Sequence, residues 1–416
     1  MSAEATPEPR RDGSRRIVPW TVLVTAAVAL LAGYLLKERC TRHEWDGYQF
    51  RTSCYNDIYA LYFHRGLDRE PVPYVNGDGE LSENEVGDLE YPVVTGFYIG
   101  TVALVTSTPN SYFQVTAAGL ALAGMLAVGG LLLLARDPAR VLTVAAGSSL
   151  VLYAFHNWDL LAVMFMVAGL VAFRMRKDVP AGALIGLGAA AKVFPGLILP
   201  ALVLARRREE RRWPVEMIVA SAFGFILPNA PVLAANPAGW LVPWRFQGTR
   251  FPNFETSWYF VYKHLGNGEP FWGETYPGLT SMLAGGLFLA GAGLLLWRES
   301  KRVRFRPYAT SFGLLLVFLL TAKVYSPQFS LWVLPFFALV RVRWYAWLAF
   351  LITDAAVWAA ISAYFLAASG RAGATLVLVE VAVVARYLVL AWLLWLSRRA
   401  DENVAPAVLP EPAMAT

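Results

Sequence analysis

Apolar runs recur along the whole chain, divided by short polar segments that carry arginine and lysine. The first runs from about Ile17 to Leu36 and is followed by a long polar stretch from Lys37 to about Glu90. A weakly apolar run opens at Tyr91 and fades near Ser107; if it crossed a bilayer, Arg136 and Arg140 would fall outside, so the pattern predicts an interfacial helix there. Spans are then predicted over 113–135, 141–155, 159–173, 181–191, 194–205, 215–234, 279–297, 308–322, 329–340, 344–367 and 375–396, about twelve with the first. A helical crossing takes about 20 residues. The segments 181–205 and 308–340 must each go out and return, so their halves should meet inside the membrane, around a cavity.

Charge gives this pattern a direction. The scheme puts Arg136/Arg140, Arg174/Arg176/Lys177, Arg206 to Arg212, Arg298 to Arg306, Arg341/Arg343 and Arg398/Arg399 on one side, together with the arginines of the N-terminal tail. Both termini are therefore expected in the cytoplasm, with the loops at about 37–112 and 235–277 outside the plasma membrane. The 416 residues are 57% hydrophobic and 16% charged, which predicts an all-α polytopic membrane protein in contact with membrane lipids. The net charge of +6 sits in the between-span clusters, which excludes nucleic acid as the partner. No small-residue cleavage site ends the first span, so it should stay attached. The expected organisation is a tail over 1–16, a transmembrane domain over 17–400 and a proline-rich, disordered tail over 401–416.

Candidate chemistry gathers on the outer side. Asp57 lies in Cys54-Tyr55-Asn56-Asp57-Ile58-Tyr59, an acid among aromatics at a water–lipid boundary, where its basicity can be tuned for general-base work; turn formation is the ordinary alternative. Cys40 and Cys54 share that segment and are either a disulfide or two free thiols. Ala191-Lys192-Val193-Phe194-Pro195 and Ala322-Lys323-Val324-Tyr325-Ser326-Pro327-Gln328 each put a lysine at a hairpin tip. Lysine at that depth is costly unless it meets an anion or snorkels, and two such tips point to a phosphate site of Lys192 and Lys323, with His156 and Gln328 as further donors. The turn His156-Asn157-Trp158-Asp159 also lies outside, although Asp159 is equally readable as a helix cap. Tyr55, Asn56, Tyr59, Glu90, Tyr91, Asn157, Asp159, Tyr325 and Ser326 make up the expected pocket.

Other features carry less. The loop with Trp240, Trp244, Arg245, Phe246, Arg250, Phe251, Trp258 and Trp272 could stack on sugars or form an aromatic belt. Asp354, Glu380 and Arg386 fall within predicted spans and read as packing or lipid contacts. Asn76, Asp78, Glu80 and Glu85 fit the later part of a calcium loop, but Tyr74 stands where its first acid should be, and a solvated acidic loop explains them as well. No other residues suggest a metal site.

The order of these motifs carries a resemblance. A first span, an acid soon after it, Glu90-Tyr91-Pro92, Asn157-Trp158-Asp159, Ala191-Lys192-x-x-Pro195 and Ser326-Pro327-Gln328 before Leu331-Trp332-x-Leu334-Pro335 together resemble the GT-C class of integral-membrane glycosyltransferases, and most of all glycosyltransferase family 87, which includes polyprenyl-phosphate-dependent mannosyltransferases. The resemblance implies a GT-C-like bundle and an inverting hexosyltransferase that moves a sugar, mannose first, from a polyprenyl-phosphate donor to an extracytoplasmic lipid or glycan acceptor in cell envelope biosynthesis. It maps the family's first-loop catalytic acid onto Asp57, with Asp46, Asp68 and Glu90 as rivals in the same loop. Composition and span number alone suit a multispan transporter or lipid flippase, or a scaffold, equally well.

Overall fold

The computed structural model describes residues 14–79, 81, 87–265 and 276–406. Among them the chain is helical throughout, and its only β-type pairings are two isolated bridges made by the C-terminal segment. Six helices are long and apolar enough to cross a membrane: Val18–Thr41, Pro109–Leu134, Val215–Ala235, Tyr276–Ser300, Trp344–Ala368 and Leu376–Ser397. The Val93–Val105 helix has 13 residues, about 20 Å at 1.5 Å per residue, and falls short of a bilayer core of about 30 Å.

The two segments that must go out and return are built from short, broken helices. Asp178–Ala191 stops at Lys192, whose extended backbone (φ −160°, ψ 136°) leads into the 3-10 turn Phe194–Ile198 and the Leu199–Glu210 helix. Pro307–Thr321 stops at Ala322, and after Lys323 the chain resumes as the 3-10 turn Pro327–Phe329 and the short helices Ser330–Val333 and Phe336–Leu339, divided at Pro335. Proline at these restarts removes a backbone donor and so fixes where each helix breaks.

Asp178–Ala191 lies against Val215–Ala235 at backbone contact. A Cβ on Gly186 would collide with the Ser221 carbonyl, one on Gly182 with the Met217 carbonyl, and one on Gly224 with the Ala183 carbonyl. Three glycines thus allow the close approach by which helices pack where no hydrophobic effect drives them together.

One sequence expectation is narrowed, to packing and not lipid contact, and one is corrected. Asp354 and Arg386 are fully buried and face each other between the last two long helices, with Nη1 and Oδ1 3.9 Å apart. Ser149 and Ser330 donate to Asp354 at 3.0 and 2.5 Å, and Arg386 Nη2 donates to the Glu255 carbonyl at 3.0 Å, so neither residue meets lipid. The beginning of the C-terminal tail is packed as well. Asn403 is fully buried: its N–H donates to the Leu339 carbonyl at 2.7 Å, its Nδ2 to the Ala338 and Asp137 carbonyls at 2.9 and 3.2 Å, and its Oδ1 accepts from the Asp137 N–H at 3.1 Å. Glu402 caps the Pro307–Thr321 helix by accepting from the N–H groups of Tyr308 and Ala309 at 2.7 and 2.9 Å. The proline-rich composition read as disorder because these bonds are to distant backbone groups.

The same strap collects the basic clusters at one end of the bundle. Arg174 reaches the Ala405 carbonyl, Arg306 the Ala400 carbonyl and Arg302 the Arg398 carbonyl.

Replacing Gly186 by leucine should lower the free energy of unfolding by about 1–3 kcal/mol, because the leucine must displace backbone. Gly286→Leu, at a glycine with open space where a Cβ would stand, is the control. Thermal unfolding in detergent should separate the two; equal melting temperatures would contradict the close-contact account.

Candidate active site

The segment before Asp57 is fixed by three local restraints. Cys40 and Cys54 are joined by a disulfide with an S–S length of 2.06 Å. Lys37, near the end of the first long helix, donates to the Ser53 and Tyr55 carbonyls at 3.1 and 2.8 Å. Asn56 caps the Asp57–His64 helix by accepting from the Tyr59 N–H at 2.8 Å, while its amide donates to the Cys54 carbonyl at 3.1 Å. Asp57 is the first residue of that helix, where the dipole favours a carboxylate, and its N–H donates to the His156 carbonyl at 2.8 Å.

One amide then connects the acid to the nearest cation. Asn157 Nδ2 donates to Asp57 Oδ2 and to the Tyr91 hydroxyl, each at 2.8 Å, and Asn157 Oδ1 accepts from Lys192 Nζ at 3.4 Å and from the Trp158 N–H at 2.6 Å. Lys192 is paired with Asp159 at 2.7 Å, and Trp332 Nε1 donates to the other oxygen of Asp159 at 2.5 Å. The Trp332 ring is held by stacking on Phe194 and Phe329, at 4.3 and 3.8 Å between centroids. The backbone break at Lys192 is what turns its side chain back onto this turn.

Burial raises the Asp57 pKa above the usual aspartate range, while hydrogen bonds from Asn157 and Tyr55 and the charges of Lys192 and Lys37 hold it down. The Asp57 carboxylate beside it, with burial, pushes the Tyr55 phenol well up. Burial, with the charges of Lys37 and Lys192, lowers His156 well below its ordinary value, so its imidazole is neutral near pH 7. His156 Nδ1 lies 3.1 Å from the Tyr55 carbonyl; that partner needs the proton on Nδ1, which leaves Nε2 as an acceptor.

These groups share a cavity of about 1030 Å³, lined by Tyr55, Asp57, Glu90, Tyr91, His156, Asn157, Lys192, Arg250, Glu255, Lys323, Ser326 and Gln328 and by aromatic walls that include Phe50, Trp244, Phe246 and Trp358. A family model matches residues 90–322, described as glycosyltransferase family 87, which is more than half of the chain. The chain belongs to glycosyltransferase family 87. No individual curated protein matches it. Membership makes this protein a glycosyltransferase and sets the transporter and scaffold readings aside. The match takes in Glu90-Tyr91-Pro92, Asn157-Trp158-Asp159 and Lys192, whereas Asp57 lies ahead of it.

Several pocket residues expected from the sequence stand elsewhere in the family 87 enzyme. Asn56 is fully buried as a helix cap, Tyr59 packs on Trp45 and Phe63, Tyr325 lies under the Arg386 guanidinium at 3.7 Å, and Asp159 is fully buried behind Lys192; none of the four lines the cavity. Glu90 lines it but is paired with Arg65 at 2.9 Å. Lys323 is a correction of a different kind. Its three N–H donors go to the carbonyls of Gly248, Arg250 and Pro277, at 2.9, 2.9 and 3.1 Å. A fully bonded ammonium has no donor left for a phosphate. Gln328 is buried on the cavity wall, and its Oε1 has no partner among the described residues.

The calcium pattern rests on Glu80 and Glu85, which lie outside the described residues, as does Trp272. Among the described residues no group of three or more His, Cys, Asp or Glu is placed to hold a metal ion. Arg250 was missed as a site residue: within a loop full of aromatics, it reads as one more interfacial cation.

Lys192→Met should destabilise the fold by about 3–5 kcal/mol, because it strands the buried Asp159 carboxylate. The double variant with Asp159→Asn should recover most of that loss. A double variant as unstable as the single would show that Lys192 does not neutralise Asp159.

Proposed function

We propose that this enzyme is a GT-C glycosyltransferase that transfers a sugar, mannose first among the candidates, from a polyprenyl-phosphate donor to a hydroxyl of a lipid or glycan acceptor. Asp57 is its general base. The reading places the protein in the plasma membrane with about twelve crossings, both termini in the cytoplasm and the cavity opening to the outer leaflet.

The observation that carries it is the meeting of Asp57 and Lys192 on one cavity, bridged by Asn157. The acceptor oxygen attacks the anomeric carbon and its proton passes to Asp57. The bond from that carbon to the phosphate oxygen breaks, and its electron pair remains on the phosphate, which gains one negative charge. A phosphate leaves without being protonated if positive charge and donors meet it, so one carboxylate suffices and displacement inverts the anomeric configuration. Hydrolysis of glycosides uses two cooperating carboxylates instead. Asn157 fixes one oxygen of Asp57 and Tyr55 donates to the carboxylate, which fixes the direction in which the base faces the acceptor. The aromatic walls suit stacking against sugar faces and contact with a prenyl chain.

Asp57→Asn should reduce transfer about 10³-fold while the protein still folds. Because burial raises the Asp57 pKa, the folded state holds that proton more tightly than the unfolded chain does. Its ionisation therefore takes stability away as the pH rises past the unfolded value of about 3.9, and at pH 7 the variant should melt no lower than the wild type. In the wild type, transfer should fall as the pH drops through the raised pKa, with its acid limb above that of an ordinary aspartate. Near-normal transfer by Asp57→Asn, assayed with labelled polyprenyl-phosphate sugars and membrane lipid extract, would refute the assignment.

A further inference from the structure

Three cations line the cavity, and they differ in how many of their donors are already used. Lys323 gives all three N–H bonds to carbonyls. Lys192 is neutralised by Asp159 and bonded to Asn157. Arg250 donates from Nη2 to the neutral Asn253 Oδ1 at 2.9 Å, and no salt bridge or other side-chain hydrogen bond engages its guanidinium among the described residues. Its side chain lies over the face of Phe246, 5.0 Å from the ring centre. A guanidinium has five donors in a planar fork that fits phosphate oxygens two at a time. Glu255, Glu90 and Asp57 act on Arg250 only through longer-range attraction, so Arg250 brings to the cavity a charge with no direct salt bridge among the described residues and a set of donors that no carboxylate occupies.

Its backbone is held in place as though position mattered. The Lys323 ammonium grips Gly248, Arg250 and Pro277 by their carbonyls, while the Lys323 carbonyl accepts from the Asn253 N–H at 3.1 Å and Asn253 Nδ2 donates to Ser326 Oγ at 3.3 Å. The loop on both sides of Arg250 is thus fastened to the second hairpin tip. Ser281 also donates to the Gly248 carbonyl at 2.9 Å, and from Ser281 the cavity wall continues along Ala284, Gly285 and Phe288 of a helix long enough to span the membrane. An anionic head beside Arg250 would have an apolar strip next to it for an attached isoprenoid chain.

We propose that Arg250 is the ligand of the donor phosphate, and that Lys323 is a positioning residue that aims it. The inference rests on the proposed transfer reaction and deepens it. When the anomeric carbon–oxygen bond breaks, the phosphate passes from one negative charge to two, and Arg250 meets the added charge on the side of the cavity where no aspartate or glutamate is bonded to it. Lys192 is paired with Asp159, and the Asp57 oxygen not bonded to Asn157 is left to take the acceptor proton, while Arg250 holds the group that departs.

The test uses farnesyl phosphate as the probe and farnesol as its neutral counterpart, with the full chain in detergent or nanodiscs. Arg250→Ala should raise the Kd of farnesyl phosphate at least tenfold and leave that of farnesol unchanged; Arg250→Lys, which keeps the charge and loses the fork, should fall between. Lys323→Met should weaken farnesyl phosphate in the same way without changing the acceptor KM, a split that general loosening of the loop would not produce. Wild-type affinity for farnesyl phosphate in folded Arg250→Ala and Arg250→Lys proteins would overturn the proposal. If instead the wild type transferred sugar from no polyprenyl-phosphate donor while farnesyl phosphate still required Arg250, the phosphate site would stand and the transfer reaction would fall.

Discussion

A buried amide with every hydrogen-bonding group in use holds this site together. Asn157 has two N–H donors and one carbonyl oxygen, and they are committed to Asp57, Tyr91, Lys192 and the Trp158 backbone. In a low-dielectric interior an unpaired polar group costs about 1–3 kcal/mol, and a stranded charge more. Asp57 and Lys192 are therefore not free to choose other rotamers without breaking a bond that has no substitute nearby. Around Asn157 the chain adds restraint in layers: the disulfide and Lys37 hold the segment before Asp57, Asp159 and Trp332 hold Lys192, and Lys323 fastens the loop that carries Arg250.

The rest of the bundle keeps those layers in register. At one end the Asn403 strap joins the turn after Pro109–Leu134 to the Phe336–Leu339 helix, and Glu402 caps the helix that leads to Lys323. Midway, glycines bring Asp178–Ala191 against Val215–Ala235 at backbone distance, which sets where Lys192 emerges. Deep in the last helix pair, Asp354 and Arg386 neutralise each other, with the guanidinium over the Tyr325 ring. Polar groups that a membrane would penalise are thus used as joints between elements far apart in sequence.

What the sequence revealed follows from which interactions leave a local mark. Apolar runs, one-sided basic clusters and proline-broken hairpins are local, and they foretold the short helices that stop just before Lys192 and Lys323. Asp57 and Asn157 were legible because an acid among tyrosines and a polar turn at a span's end are unusual in themselves. The function of Lys323 was not, since its partners are three carbonyls from two other elements, and no residue type announces a carbonyl. The same holds for the strap, where composition signalled disorder and the decisive bonds of Asn403 run to backbone more than sixty residues away. Arg250 was hidden by its setting, because an arginine among loop aromatics looks like an interfacial anchor until it is seen to line the cavity with no direct salt bridge among the described residues. Asn56 and Tyr59 were drawn into the expected pocket by proximity to Asp57, although helical geometry turns them away from it.

The central claim is that one cavity holds the acceptor against Asp57 and the donor phosphate on its cationic side. The most direct measurement is a cryo-electron-microscopy structure of the enzyme with a non-transferable phosphonate analogue of a polyprenyl-phosphate sugar. The account predicts the phosphonate within hydrogen-bonding distance of Arg250 and the anomeric carbon facing the free oxygen of Asp57, with room between them for one hydroxyl. An analogue seated elsewhere, with the cavity beside Asp57 and Arg250 empty, would contradict it.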